Sequence, residues 1–216
     1  MTMKKKTIIW GAGGHGKVIL DILLEAKVLI GGFIDDDRTK MHQSVSGYKI
    51  LGNTDYLEKM KNKGSVQLAL GIGNNEIRET IFEKAVALGV AVISAIHPRA
   101  VVSPHARLGR GVVVMPGAVI NSGAIIEDGV VVNTGATVDH DCYLEAFSHI
   151  WPGAHLAGGV RVGRCSYIGT GAAVIQNVTI GKNTMVGAGA VVISAIRDGV
   201  TAVGVPARVI KKKHEK

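Results

Sequence analysis

The sequence predicts two structural classes in one chain: an α/β domain at the amino terminus and, after it, an all-β parallel β-helix. Three observations carry this. Every sixth residue from Val102 to Val192 is Val, Ile or Leu, running through Val114, Ile126, Leu144, Leu156, Ile168 and Ile180. Four residues after these aliphatics comes a second series of mostly small side chains, among them Ala106, Ala118, Ala136, Cys142, Ser148, Ala154, Ser166, Ala172 and Ala190. Ahead of the repeat, strand-like and helix-like segments alternate. A period of six is neither that of a helix nor that of a flat strand. It fits a solenoid whose six-residue sides stack into one continuous core.

The elements follow in order. Residues 7–10 read as a strand. Residues 14–26 read as a helix with Val18, Ile19, Ile22 and Leu23 on one side. Strands are expected over 29–34, 66–70 and 90–95, and a helix over 75–88 with Ile77, Ile81, Phe82 and Ala85 facing inward. Such alternation implies a parallel sheet with helices packed on it. His97-Pro98 marks the junction, because the residue before proline is pushed out of helix. The expected domains are 1–96 for the α/β part, 97–193 for the solenoid, and 194–216 for a cap and basic tail. Val203-Gly204-Val205-Pro206-Ala207-Arg208 ends the repeat, as the exposed last coil of a solenoid requires.

Composition agrees. The 216 residues are 47% hydrophobic but only 4% aromatic, so the core must be built from Val, Ile, Leu and Ala. Several of the 29 glycines, such as Gly109, Gly163, Gly169, Gly181 and Gly187, recur at fixed places in the hexads, where a positive φ or a close approach is expected. The net charge of +8 is concentrated in the runs Lys4-Lys5-Lys6 and Lys211-Lys212-Lys213-His214-Glu215-Lys216, which argues against a nucleic-acid partner. Two cysteines, Cys142 and Cys165, form no disulfide framework and suit a reducing cytoplasm. No signal sequence is evident, and no apolar stretch is long enough for membrane insertion.

Two constellations carry chemistry. The first is Gly11-Ala12-Gly13-Gly14-His15-Gly16, between a predicted strand and a predicted helix, with Asp35 and Asp36 at the end of the next strand. Glycines at that place let a phosphate approach backbone N–H groups at a helix start, while a carboxylate accepts from ribose hydroxyls. Gly16-Lys17 also begins a Walker-type match, but Val18 stands where a magnesium-binding hydroxyl belongs. A plain turn with no ligand is the alternative. His15 argues against it, since a plain turn has no use for imidazole.

The second is Asp139-His140-Asp141, with two carboxylates flanking a histidine at a hexad corner. A neighbouring carboxylate orients an imidazole and raises its basicity, as a general base needs. His149 and His155 follow at outward positions. Residues three hexads apart stack at a strand spacing of about 4.8 Å. Gly158 therefore lies over His140, with its N–H available to a developing oxyanion.

Taken together, these residues resemble the sugar acyltransferase family of the NeuD/PglD type. The resemblance covers nearly the whole chain. It includes the glycine loop, Asp35-Asp36, Gly71-Ile72-Gly73-Asn74-Asn75-Glu76-Ile77-Arg78, the stretch from Asp139 to His149, and Gly204-Val205-Pro206-Ala207. It implies an α/β Rossmann-like nucleotide-sugar-binding domain joined to a left-handed parallel β-helix of hexapeptide repeats. It also implies a homotrimer that moves acetyl from acetyl-CoA to a sugar, most simply the amino group of a nucleotide-linked amino sugar in surface glycan or polysaccharide biosynthesis. By motif position, the resemblance makes His140 the catalytic base and Asp141 the acid that tunes it, where the better-known pattern has Glu. It places His149, Gly158, Thr170 and Ala188 against acetyl-CoA, with Gly158 at the thioester. It places Gly13, Gly14, His15, Asp35, Asp36 and Gly73 in the nucleotide-sugar pocket. No metal and no covalent acyl-enzyme are implied.

Three other readings use the same solenoid. One is an O-acetyltransferase acting on sialic acid or a polysaccharide unit. The second is a zinc enzyme of the γ-carbonic anhydrase kind, which needs three converging histidines. The third is a non-catalytic nucleotide-binding trimer, against which the His140-Asp141 pair argues.

Overall fold

A computed structural model describes residues 5–60 and 63–212, with side chains through 210. Lys4 and residues 211–216 of the charged runs thus lie wholly or by their side chains outside the described residues. The chain divides into two compact units, Met1–Pro98 and Arg99–Lys216.

The first unit is α/β. Its elements are β1 (Lys6–Trp10), α1 (Gly14–Glu25), β2 (Ile30–Ile34), β3 (Ser44–Val45), β4 (Tyr48–Gly52), α2 (Thr54–Glu58), β5 (Val66–Leu70), α3 (Asn75–Ala87) and β6 (Ala91–Val92). The sheet order is β3-β4-β2-β1-β5-β6, parallel apart from the short antiparallel β3. β1 sits centrally, so Ile8, Ile9 and Trp10 are all buried, as an unbroken apolar run in a sheet covered on both faces should be. The order reverses direction around β1, whose neighbours are β2 and β5. The crevice beyond their carboxyl ends is the usual ligand position in such a sheet.

Two expectations need correction here, and one segment had none. The strand expected over 90–95 is broken into Ala91–Val92 and Ala95–Ile96. The segment holding β3, β4 and α2 carried no expected element. On α3, Ile77 is 52% exposed, whereas Arg78 is fully buried. Residues 78, 81, 82 and 85 share a helical face, and position 77 is turned off it, so periodicity outweighs the polarity of the side chain.

The second unit is a triangular parallel β-helix. Its first face stacks the two-residue strands from Val101–Val102 through Thr137–Val138 and Ala173–Val174 to Val191–Val192. Its second face runs from Arg107–Leu108 through Tyr143–Leu144 to Thr179–Ile180. Its third runs from Val113–Val114 through His149–Ile150 to Met185–Val186, continuing into Val200–Val203. The register pairs Thr137 with His155 and His149 with Tyr167, three hexads apart. The aliphatic and small-residue series both point inward and form one core. Ser166, a polar member of the small-residue series, is bonded: its Oγ donates to Gly181 O at 2.6 Å and accepts from Thr184 N at 2.9 Å.

A third period of six governs the corners. Every sixth residue from Gly111 to Gly189 has a positive φ, through Gly117, Gly123, Gly129, Gly135, Gly153, Gly159 and Gly171. The series is filled by non-glycine residues at Asp141, Phe147, Cys165, Asn177 and Asn183. The other recurring glycines serve close approach. A Cβ on Gly163 or Gly169 would lie 2.6 Å from backbone atoms of the next coil. Among the described residues, no helix is long and apolar enough to cross a membrane.

Candidate active site

The glycine loop separates into two kinds of glycine. Gly11 has φ +106°, and a Cβ there would lie 2.6 Å from Gly71 O, while Gly16 is pressed against the Gly11 carbonyl. These glycines let the ends of β1 and β5 close on each other and seat α1. At Gly13, Gly14 and Gly73 no atom lies within 4 Å of where a Cβ would stand, and none of the three has a positive φ. Packing does not require glycine at these three positions. What they leave is open space beside the start of α1, which suits the approach of a phosphate to backbone N–H groups.

Asp35 and Asp36 are bound into the fold at the same crevice. Asp35 Oδ2 accepts from Ala12 N at 2.7 Å and Lys40 Nζ at 2.9 Å, and Oδ1 from Asp37 N at 2.9 Å. Burial pushes its carboxyl pKa up, but these donors outweigh burial and hold it below the usual carboxylate range. Asp36 Oδ1 accepts from Thr54 N at 2.8 Å, and Thr54 Oγ1 bridges both its oxygens. Each carboxylate therefore braces the loop that carries it, a role the motif alone does not reveal. Burial, and then the charge of Arg78, draw the His15 imidazole down to about 4, so it is neutral near pH 7.

In the solenoid, His140 and Gly158 share the corner between the first and second faces. A Cβ on Gly158 would lie 2.5 Å from His140 Cε1 and 2.6 Å from Nε2, so the imidazole covers the glycine. Gly159 N donates to His140 O at 2.9 Å, fixing the register. His140 Nδ1 is 2.9 Å from Asp141 Oδ2, which assigns the Nδ1 proton to this bond and leaves Nε2 to accept. Behind it, Asp139 Oδ1 accepts from His140 N at 2.8 Å and from Asn121 Nδ2 at 2.9 Å. The bond to Asp141, then the charge of Asp139, raise the His140 pKa above its ordinary value. Both His140 and Asp141 are exposed.

Asp141 occupies the left-handed corner position with φ 57°. That conformation costs an ordinary side chain roughly 1–2 kcal/mol, and Gly123, one coil earlier, meets the need without it. Replacing Asp141 by glycine is expected to raise thermal stability while lowering activity, the pattern of strain kept at a functional site. Asp141→Asn tests the electrostatic part. Losing the anion lowers the His140 pKa, so the acidic limb of the kcat/KM profile should move to lower pH. A limb that stays in place, or moves upward, contradicts the pairing.

The remaining expected residues lie elsewhere on the prism. His149 is on the third face and, despite pointing off the core, only 5% exposed. It packs beside Trp151 and Tyr167, and Asn133 Nδ2 stands 3.1 Å from its Nε2. Thr170 and Ala188 are exposed and stacked at the corner between third and first faces, linked through Gly189 N to Thr170 O at 2.8 Å. They border the first face at the edge opposite His140. His155 is exposed on the first face, with Nδ1 2.9 Å from Thr137 Oγ1. Among the described residues, no group of three or more His, Cys, Asp or Glu is placed to hold a metal ion. Cys142 is buried, its thiol pushed up to about 11 by burial, and Sγ donates to Ala157 O at 3.2 Å.

Comparison with known proteins places this geometry. Residues 6–85 match the PglD N-terminal domain. The GDP-perosamine N-acetyltransferase of Escherichia coli O157:H7 is 31% identical over 165 residues, spanning 74% of this chain and 73% of that protein. The chain belongs to the PglD/NeuD-type sugar acyltransferase family. Solved members agree along nearly the whole length. The acetyltransferase domain of PglB from Neisseria gonorrhoeae, in complex with acetyl coenzyme A, is 45% identical with a TM-score of 0.90, covering 96% of this chain and 100% of that one. PerB from Caulobacter crescentus, in complex with CoA and GDP-perosamine, is 42% identical with a TM-score of 0.91, covering 95% and 97%. The solenoid of this acyltransferase is thereby the left-handed β-helix of hexapeptide repeats, and its first unit the Rossmann-like domain.

Proposed function

We propose that the protein transfers the acetyl group of acetyl-CoA to the amino group of a nucleotide-linked amino sugar. The observation that carries this reading is the His140–Asp141 pair standing over Gly158. His140 Nε2 takes a proton from the sugar amine as its nitrogen attacks the thioester carbonyl. The Gly158 N–H donates to the oxyanion that forms. The carbon–sulfur bond then breaks, and the CoA thiolate recovers the proton from the imidazolium. Gly13, Gly14 and Gly73 leave room for the nucleotide diphosphate, with His15, Asp35 and Asp36 around it. The Escherichia coli relative is named a GDP-perosamine N-acetyltransferase, the PglB domain is in complex with acetyl coenzyme A, and PerB is in complex with CoA and GDP-perosamine, which favours nitrogen over oxygen as the acceptor. The test offers acetyl-CoA with a nucleotide-linked sugar carrying an amine, its hydroxyl counterpart, and the free amino sugar. Thiol release with the first alone supports the reading; release with the hydroxyl counterpart instead supports O-acetylation.

The reading extends to assembly and location. His140 and Gly158 lie along one edge of the first face, and Thr170 and Ala188 along the other, so one protomer does not gather them. Packing two such prisms against each other does, and that face exposes Val101 and Ile175. We propose a cytoplasmic homotrimer with acetyl-CoA held between prisms. Light scattering at micromolar concentration should give three times the chain mass; a monomer alone would refute it.

A further inference from the structure

The α/β unit buries one full charge on α3. Arg78 has no exposed surface. Its Nη1 donates to Ile72 O at 3.1 Å and to Gly73 O at 3.2 Å, and its Nη2 donates to Asn75 Oδ1 at 2.7 Å. Ile72 and Gly73 belong to the loop that joins β5 to α3, beside the glycine loop at Gly11, and Asn75 is the first residue of α3. Taking a guanidinium out of water is costly, so a fold that keeps one there needs these acceptors held inward. A trans peptide points its C=O and N–H in opposite directions. Drawing in the carbonyls of Ile72 and Gly73 therefore turns the amides of Gly73 and Asn74 away from the guanidinium. Gly73 is also one of the glycines that packing does not require.

We propose that Arg78 is a positioning residue of the nucleotide pocket, setting from below the direction in which the Gly73 and Asn74 amides meet the diphosphate oxygens. This rests on the assignment of the pocket made above. The planar fork suits the task, because it reaches two carbonyls and a side-chain amide from one rigid plane. A lysine ammonium in its place keeps the charge but not that fixed geometry. Arg78 also acts on His15, since its charge adds to burial in keeping that imidazole neutral.

The test uses the full chain, with Arg78→Lys and Arg78→Met compared with the parent. GDP and UDP are the probes, titrated by calorimetry, and the KM for acetyl-CoA is measured alongside. Loss of charge-assisted bonds of this kind should weaken diphosphate binding about ten-fold or more. The KM for acetyl-CoA should stay within about two-fold, since those groups lie in the other unit. Should Arg78→Met fail to fold, Arg78→Lys decides. Unchanged diphosphate binding by a folded Arg78→Lys variant, or equal losses for the diphosphate and acetyl-CoA, overturns the role of Arg78 alone. A parent protein that binds neither GDP nor UDP overturns the pocket assignment and this proposal with it.

Discussion

His140→Ala should lower kcat by about 10²–10⁴, the usual worth of a positioned general base, without disturbing the fold. The side chain sits at a corner, exposed, and outside both inward-facing series. Its removal opens no core cavity and leaves the Gly159 N–H bond to the residue 140 carbonyl intact. The substitution also uncovers Gly158, so any remaining oxyanion stabilisation by that amide is preserved. Measuring kcat together with the thermal midpoint separates the two roles. A large loss of rate at unchanged midpoint assigns the proton transfer to His140. Near-parental kcat on the true acceptor means that the amine arrives already deprotonated or that the base lies elsewhere.

Gly13→Val should raise the KM for the nucleotide-linked sugar by about 10- to 100-fold, the equivalent of a close steric conflict of 1–3 kcal/mol. The residue has φ −89°, which any side chain tolerates, and no protein atom lies where its Cβ would be built. The valine therefore fits the free protein and conflicts only with what enters the loop. The KM for acetyl-CoA should be nearly unchanged. Equal loss for both substrates would indicate misfolding, and identical kinetics would remove the nucleotide from this loop. Gly11→Val makes an instructive contrast: its positive φ and the nearby Gly71 carbonyl predict loss of stability instead.

The solenoid is legible in the sequence because its geometry is written as a strict period. Two interior series fix the register, and the register alone places Gly158 beside His140. The corner series is equally regular but harder to see. Glycines such as Gly163 and Gly169 stand out in the hexads yet serve close approach, while the left-handed positions are interrupted by Asp141, Phe147 and Cys165. Counted as a period in its own right, that series marks Asp141 as a strained corner from spacing alone.

The α/β unit is less transparent. Its central strands and two longer helices follow from apolar runs, whereas the cap of α3, where Asn74 Oδ1 accepts from Ile77 N at 2.9 Å, comes from the structure. β3 and α2 are too short to show a period, and β4, as long as β1, breaks its apolar run with Lys49 and Gly52. Arg78 escapes a reading that equates charge with exposure, although its helical phase places it with Ile81, Phe82 and Ala85. The partners of Asp35 and Asp36 are invisible too: Ala12, Lys40 and Thr54 meet them only after folding. His149 illustrates the limit of counting. Spacing puts it off the core, but its burial beside Trp151 and Tyr167 depends in part on a residue three hexads away, Tyr167.

The most direct test of the central claim is mass spectrometry of a nucleotide-linked amino sugar incubated with acetyl-CoA and either the parent protein or its His140→Ala variant. The account predicts one acetyl group gained on nitrogen with the parent protein, and a rate at least about a hundred-fold lower with the variant. Equal acetylation by both proteins, or no acceptor-dependent product from either, would contradict it.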